Sequence, residues 1–455
     1  MADPVTAPRR IVVTGASGNV GSGVLRALAR HVPEAEVVGV CRRPPTVGDL
    51  YARVHWHAVD LSAPDAAERL APAMAGADVV IHLALALYPV HDTDYLYRAN
   101  VLGTQAVLTA MTEAGIRHLV YASSLGVYAP GPRVPVPETY PTTGQPTSTY
   151  SRHKVMVEAI LDDYERAHPD TVVSRFRPTV VAQRETASMV RSLYLGPLIP
   201  RIALEIMRRK ALPVLPLPRG LALQFVHTDD VGEAAVRLMR CRSVGSYNVA
   251  ADPLDDAGLA ALVGGRPIPI DAGFVRRVVV ALSSLHAIAV TPGWYDVATN
   301  TPLMDTTKLR TETGWAPTHS STDSARELID GLADGAVGSS AALGYDDAAV
   351  ATTRTAVDTV HDASLALWLA LAVARALGVR RVGWPEAAAI GTNLAAGTPA
   401  ALDRLARRRR DPVALLAPPT VGAAVLASRR GGWAPVIATS LLGVLALAER
   451  RRSTR

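Results

Sequence analysis

The chain has 455 residues, too many for one typical domain, and 49% of them are hydrophobic, enough for a large core. Its formal charge of +6 does not mark a nucleic-acid binder: residues 401–455 hold 11 arginines against Asp403, Asp411 and Glu449, which leaves 36 basic and 38 acidic side chains in the first 400 residues. Two distant cysteines, Cys41 and Cys241, exclude a disulfide framework and a cysteine metal site and fit a reduced, cytoplasmic compartment.

The first elements alternate. RRIVVTG (9–15) reads as a buried strand ending in a glycine turn, and NVGSGVLRALARH (19–31) has helical spacing. EVVGVC (36–41), RVHWHAVD (53–60), ADVVIHLAL (77–85) and RHLVYASS (117–124) read as further strands. PDAAERLAPAMAG (64–76) and YRANVLGTQAVLTAMTEAG (97–115) read as helices between them. A loop rich in Pro and Thr (129–149) leads into a helix carrying Tyr150 and Lys154, and TVVSRFRP (171–178) is a strand stopped by proline. No apolar run precedes the first strand, so no signal peptide is expected. The alternation predicts an α/β fold with a doubly wound parallel sheet over 1–183.

A smaller substrate-binding region over 184–333 is expected to interleave with that sheet, followed by a small, polar linker over 334–360 and a helical extension over 361–455. Within the extension, 412–428 and 431–448 are uncharged runs bracketed by arginines, marginal for spanning a bilayer. They predict association with the inner face of the cell membrane, set against a soluble helical hairpin in which Pro418 and Pro419 interrupt the first run.

TGASGNVG (14–21) spaces Gly15, Gly18 and Gly21 three apart between a strand and a helix, the setting in which backbone approaches a pyrophosphate at a helix N-terminus. The second strand ends GVCRRPP, without the carboxylate that would hold a ribose diol. Arg42 there suits a 2′-phosphate, which favours NADP over NAD, unless it is an ordinary solvated charge. Asp60 is placed to accept from an adenine amine or to cap the next helix. Tyr150 and Lys154 share a helix face, and an ammonium near a phenol lowers its value toward neutrality. With three Lys and 13 Tyr, that spacing arises by chance only about 0.1 times per chain. Ser123 and Ser124 end a strand where doubly wound folds bind ligands.

Taken together, TGASGNVG, VDLS, VIHLAL, RANVLGTQAVL, VYASSLGVY, YSRHK, FRPTVV, FVHTDDV, YNVA and TKLRTETGWAP resemble the extended short-chain dehydrogenase/reductases over about residues 9–330. That family includes sugar-nucleotide epimerases and dehydratases and 3β-hydroxysteroid dehydrogenases, on a Rossmann fold. The resemblance implies a catalytic Ser124, a general acid/base Tyr150, and a Lys154 that binds the nicotinamide ribose and lowers the tyrosine value. It also implies a phosphate loop of Gly15, Ser17, Gly18, Asn19 and Val20, an adenine site at Asp60 and Leu61, and cofactor contacts at Leu83, Ala84 and Pro178. Asn100, His227 and Asp230 match structural positions, and no metal is implied. Two departures stand out: Leu85 follows His82-Leu83-Ala84 where the family often has alanine, and Ala182-Gln183 replaces a frequent Gly-Pro.

The expected activity is hydride transfer to or from a secondary alcohol or ketone, on a sugar nucleotide or a lipophilic substrate, with epimerase and dehydrogenase both open. The alternative is a non-catalytic NADP(H)-binding sensor of the same fold. The expected partner is a small molecule, not a nucleic acid, with a homodimer left open.

Overall fold

Strands β4 (Val79–His82) and β5 (His118–Ala122) are buried along their whole length, the unbroken apolar pattern of a parallel sheet covered on both faces. They sit at the middle of a seven-stranded sheet in a computed structural model that describes residues 8–87, 92–191, 201–284 and 290–344. The other early strands are β1 (Arg10–Thr14), β2 (Glu36–Cys41) and β3 (Val54–Ala58). After β6 (Pro135–Val136) come β7 (Val172–Pro178), β8 (Val180–Ala182), β9 (Val214–Pro218), β10 (Leu223–His227) and β11 (Gly245–Val249). The large sheet runs β11-β7-β5-β4-β1-β2-β3, every neighbouring pair parallel. Strand order reverses between β1 and β4, and in such sheets ligands bind at the carboxyl ends beside that reversal.

The helices of this half are α1 (Asn19–His31), α2 (Ala66–Met74), α3 (Thr93–Tyr97), α4 (Gly103–Glu113) and α5 (Thr149–Ala167), with a π-helical turn, Arg98–Leu102, joining α3 to α4. Further on lie α6 (Ala187–Val190), α7 (Arg201–Arg208), α8 (Thr228–Cys241), α9 (Asp256–Ala261), α10 (Ala272–Ser284), α11 (Pro292–Asn300), α12 (Thr307–Thr313) and α13 (Ser321–Asp334). Small sheets accompany them: β8 and β10 with β12 (Pro253–Leu254), β9 with β13 (Arg266–Ile270), and β6 with β14 (Leu303–Met304).

The chain divides into two compact units, Met1–Val190 with Glu205–Arg276 and Pro292–Asp346, and Arg191–Leu204 with Arg277–Thr291 and Asp347–Arg455. Described residues of the second unit are the N-terminal half of α7, the C-terminal part of α10 and their immediate neighbours. In the first unit residues beyond 183 interleave with the sheet: β11 completes it, and α8 packs against α1 in the same core. Glycines allow that packing: a Cβ on Gly232 would lie 2.2 Å from the Gly23 carbonyl oxygen, and one on Gly23 the same distance from that of Thr228.

The expected linker also begins differently. α13 runs to Asp334, and residues 336–344 then fold back, with Ser340 and Leu343 buried. The Ser340 hydroxyl donates to the Ser17 carbonyl at 2.6 Å, on the glycine loop itself. The 412–428 and 431–448 runs and most of the expected extension lie outside the described residues; among those described, no helix is long and apolar enough to cross a membrane.

Gly232→Ala is expected to cost about 1–3 kcal/mol through backbone overpacking, read as a lower midpoint in urea or thermal unfolding.

Candidate functional site

The glycine loop fits a dinucleotide phosphate on structural grounds. Gly15 has φ +71°, and a Cβ there would press on the Ala84 backbone at 2.8 Å, so only glycine lets β1 turn beside Leu83 and Ala84. Gly18 caps α1 without a side-chain hydrogen bond, and no acidic residue occupies the first turn, which leaves a positive helix end clear for an anion. Leu83 N–H donates to the Thr14 carbonyl at 3.0 Å, fixing the β4 end against the same turn. Ser17 is buried, its hydroxyl set against the Cys41 thiol, whose value burial pushes up. At the far end of the crevice Pro178 closes β7, and the hydroxyl of the neighbouring Thr179 is buried with no partner among the described residues.

Several expected cofactor residues face elsewhere. The Asn19 side chain donates to the Val181 carbonyl at 3.1 Å and accepts from Gln183 at 2.9 Å and Thr228 at 2.6 Å, so it ties α1 to β8 and α8. Val20 packs on the core beneath the helix. Leu61 is buried against Gly103, where an added Cβ would meet it at 2.9 Å. Asp60 does not cap α2, whose N-cap is Asp65; it accepts from the Ser62 N–H at 2.9 Å and hydroxyl at 2.7 Å. Gln183, a departure from the family pattern, is a buried tie that donates to Ser22 at 3.0 Å and accepts from Arg26 at 3.0 Å. Arg42 is exposed, hydrogen-bonded to the Tyr95 hydroxyl, with its guanidinium 5.8 Å from the Tyr95 ring centre.

The structure brings Ser124, Tyr150 and Lys154 to one edge of the sheet. Ser124 follows β5 and caps a short 3₁₀ turn, Leu125–Val127, by accepting from Gly126 N–H at 3.0 Å. Ser148 caps α5, which puts Tyr150 in its first turn. Burial pushes the Tyr150 phenol up to about 12, and a hydrogen bond with Ser124 pulls the other way. The Lys154 ammonium donates to the Ala122 carbonyl at 2.6 Å and the Tyr121 hydroxyl at 3.1 Å. Burial pushes Lys154 down to about 7, opposed by Glu158. The expected lowering of Tyr150 is therefore not what the geometry gives: desolvation outweighs the other influences on the phenol. Gly126 is a further requirement that spacing did not reveal, since a Cβ there would meet the Tyr150 ring at 2.9 Å.

Glu158 and Arg177 support these residues and left no local signal in the sequence. Both are buried, and the guanidinium grips the carboxylate through Nε at 2.9 Å and Nη2 at 2.6 Å. Glu158 also accepts from Ser123, and Arg177 reaches the Tyr128 hydroxyl and the Glu138 carbonyl, each at 3.0 Å. Tyr128 in turn donates to Asn248 on β11 at 2.6 Å. His82 bridges Thr14 at 2.6 Å and Thr104 at 3.0 Å, and burial lowers its value to about 3, so it is a neutral strut. Asn100, in the π-helical turn, makes two hydrogen bonds to the Ala86 backbone at 2.7 and 2.9 Å. His227 caps α8, and Asp230 anchors Thr318 and His319 through bonds of 2.6 to 3.0 Å. Among the described residues, no group of three His, Cys, Asp or Glu side chains is placed to hold a metal.

Known proteins agree with this architecture. The profile of the NAD dependent epimerase/dehydratase family matches residues 11–250. A UDP-glucose 4-epimerase of Yersinia pestis is 31% identical over 50% of this chain and 73% of its own length. A 4-hydroxy-2-methyl-3-oxo-4-farnesyl-3,4-dihydroquinoline-1-oxide ketoreductase of Stigmatella aurantiaca is 34% identical over 37% of this chain and 49% of its own. In fold, the chain is similar to a UDP-glucose-4-epimerase of Stenotrophomonas maltophila, solved with bound NAD and formylated UDP-arabinopyranose, with a TM-score of 0.54, 19% identity and coverage of 72% and 98%. A glycine loop at the strand-order reversal of a parallel sheet defines the class, a nucleotide-dependent enzyme of the extended short-chain type. The chain belongs to the NAD dependent epimerase/dehydratase family.

Glu158→Gln, which leaves Arg177 buried without its counter-ion, is expected to lower unfolding free energy by about 3–5 kcal/mol. A Glu158→Leu/Arg177→Met double variant should recover most of that loss in the same urea titration.

Proposed function

We propose that the protein is an NADP(H)-linked oxidoreductase that transfers hydride between the nicotinamide and a secondary alcohol or ketone. The observation that carries the reading is the convergence of the Tyr150 ring and the Ser124 hydroxyl beside Gly126 at the carboxyl edge of β5, with Lys154 one helical turn further along α5. When bound, the nicotinamide supplies or takes the hydride at the substrate carbon. Ser124 would donate to the substrate oxygen, and Tyr150 would exchange the proton on that oxygen. With its value near 12, Tyr150 keeps its proton throughout the neutral range, which suits donation to a carbonyl and favours reduction. Lys154, held by Ala122 and Tyr121 next to the strand end, is in reach of the ribose side of the site and supplies charge when protonated. The glycine loop and the clear N-terminus of α1 would take the pyrophosphate.

Arg42 supports the choice of NADP. It is exposed, carries no carboxylate partner among its described contacts, and is oriented by Tyr95 at the end of β2, where a 2′-phosphate would lie. The non-catalytic sensor reading has no such support, because nothing about cofactor binding alone calls for a Ser124–Tyr150 pair.

Tyr150→Phe is expected to lose about 10²–10⁴ in kcat while retaining cofactor affinity, measured by NADPH fluorescence; full turnover in that variant sinks the enzymatic mechanism. Arg42→Ala should weaken NADP binding about 10- to 100-fold and leave NAD binding within about twofold. Lys154 is charged below about 7 and neutral above it, so kcat/KM for reduction should fall as pH rises through about 7. A profile flat from about pH 6 to 9 speaks against that role.

A further inference from the structure

Trp294, in the first turn of α11, stacks on the Tyr150 phenol with ring centres 4.7 Å apart and planes inclined by 27°. The placement is built into the backbone. A Cβ on Gly293 would lie 2.5 Å from the Thr147 carbonyl oxygen and 2.7 Å from Ser148 Cα, so α11 sits directly on the segment that starts α5. Asp296, buried one turn later, accepts from the Thr147 hydroxyl at 2.6 Å and is clamped by Arg276 through two bonds of 2.8 and 2.9 Å. The indole is thereby fixed against the phenol from two sides of its own helix turn.

A substrate whose oxygen reaches the Tyr150 hydroxyl would lie close to the half-buried indole stacked on that ring, an aromatic neighbour suited to a flat apolar skeleton. Arg133 and Arg276, the guanidiniums that reach α11, are both engaged: Arg133 donates to the Ala222 carbonyl at 2.7 Å and the Ala298 carbonyl at 2.8 Å, and Arg276 holds Asp296. A diphosphate beside α11 would have to displace these bonds.

We infer that Trp294 is the specificity-determining residue of this site, and that it admits a secondary alcohol or ketone carried on a flat apolar skeleton rather than a nucleotide-linked sugar. The inference rests on the hydride-transfer reading of Ser124, Tyr150 and Lys154.

The test uses the full-length protein with NADPH and α-tetralone, a flat bicyclic ketone, with UDP-glucose and NADP or NAD as the contrasting probe. The wild type should reduce α-tetralone and leave UDP-glucose unchanged. Trp294→Ala should raise KM for α-tetralone about tenfold or more with kcat within about threefold, and Trp294→Phe should restore most of the affinity. An unchanged cofactor affinity in both variants shows that the fold is intact. The inference is overturned if Trp294→Ala leaves KM within about twofold, if the wild type converts UDP-glucose in preference, or if α-tetralone is neither bound in calorimetry nor turned over. Failure of the underlying reading shows itself separately, as turnover that survives in Tyr150→Phe.

Discussion

The buried Glu158–Arg177 ion pair joins the helix that carries Tyr150 and Lys154 to the sheet beneath it. Tyr150, Lys154 and Glu158 recur at four-residue intervals along one face of α5, so fixing Glu158 fixes the azimuth of the other two. Arg177 lies on β7, and its two-pronged grip on Glu158 sets the height of α5 along that strand. The same carboxylate receives the Ser123 hydroxyl at the end of β5, next to Ser124. Through Tyr128 and Asn248 the network continues to β11. Three strands and one helix thus meet at a single desolvated charge pair, which an apolar replacement could rival in stability but not in direction.

That pair also shapes the electrostatics of the site. Lys154 is buried enough to lose its charge near neutrality, and Glu158 is what works against the loss. Tyr150 feels burial from the opposite side and holds its proton. Two groups four residues apart therefore have their values driven in opposite directions, and apart, by the same loss of water, because one is charged when protonated and the other when not.

The large sheet was legible because each strand of a two-sided parallel sheet is a short apolar run, as in VVIH and HLVYA. The glycine loop was legible because backbone proximity demands glycine, and Gly15 meets that demand at Ala84. The shared helix face of Tyr150 and Lys154 could be read because their spacing is local. Their ionisation could not, since desolvation depends on what packs above them. Glu158 and Arg177 are joined only across the fold, and a lone Glu and a lone Arg carry no pattern. Gln183 stood out only as a departure from a frequent Gly-Pro; its side chain is wedged among Asn19, Ser22 and Arg26, a tie to α1 that no local pattern announces.

The fold-back of residues 336–344 bears on where this enzyme can be cut. Ser340 rests on the Ser17 carbonyl, Leu343 is buried, and Gly344 is pressed on Ser188, where a Cβ would meet the hydroxyl at 2.5 Å. A shortened protein ending at Gly335, where α13 stops, would expose the Ser17 carbonyl to water and remove the side chain that fixes it. The segment from 336 to Gly344 therefore belongs with the body that carries the glycine loop and serves as the backing of that turn.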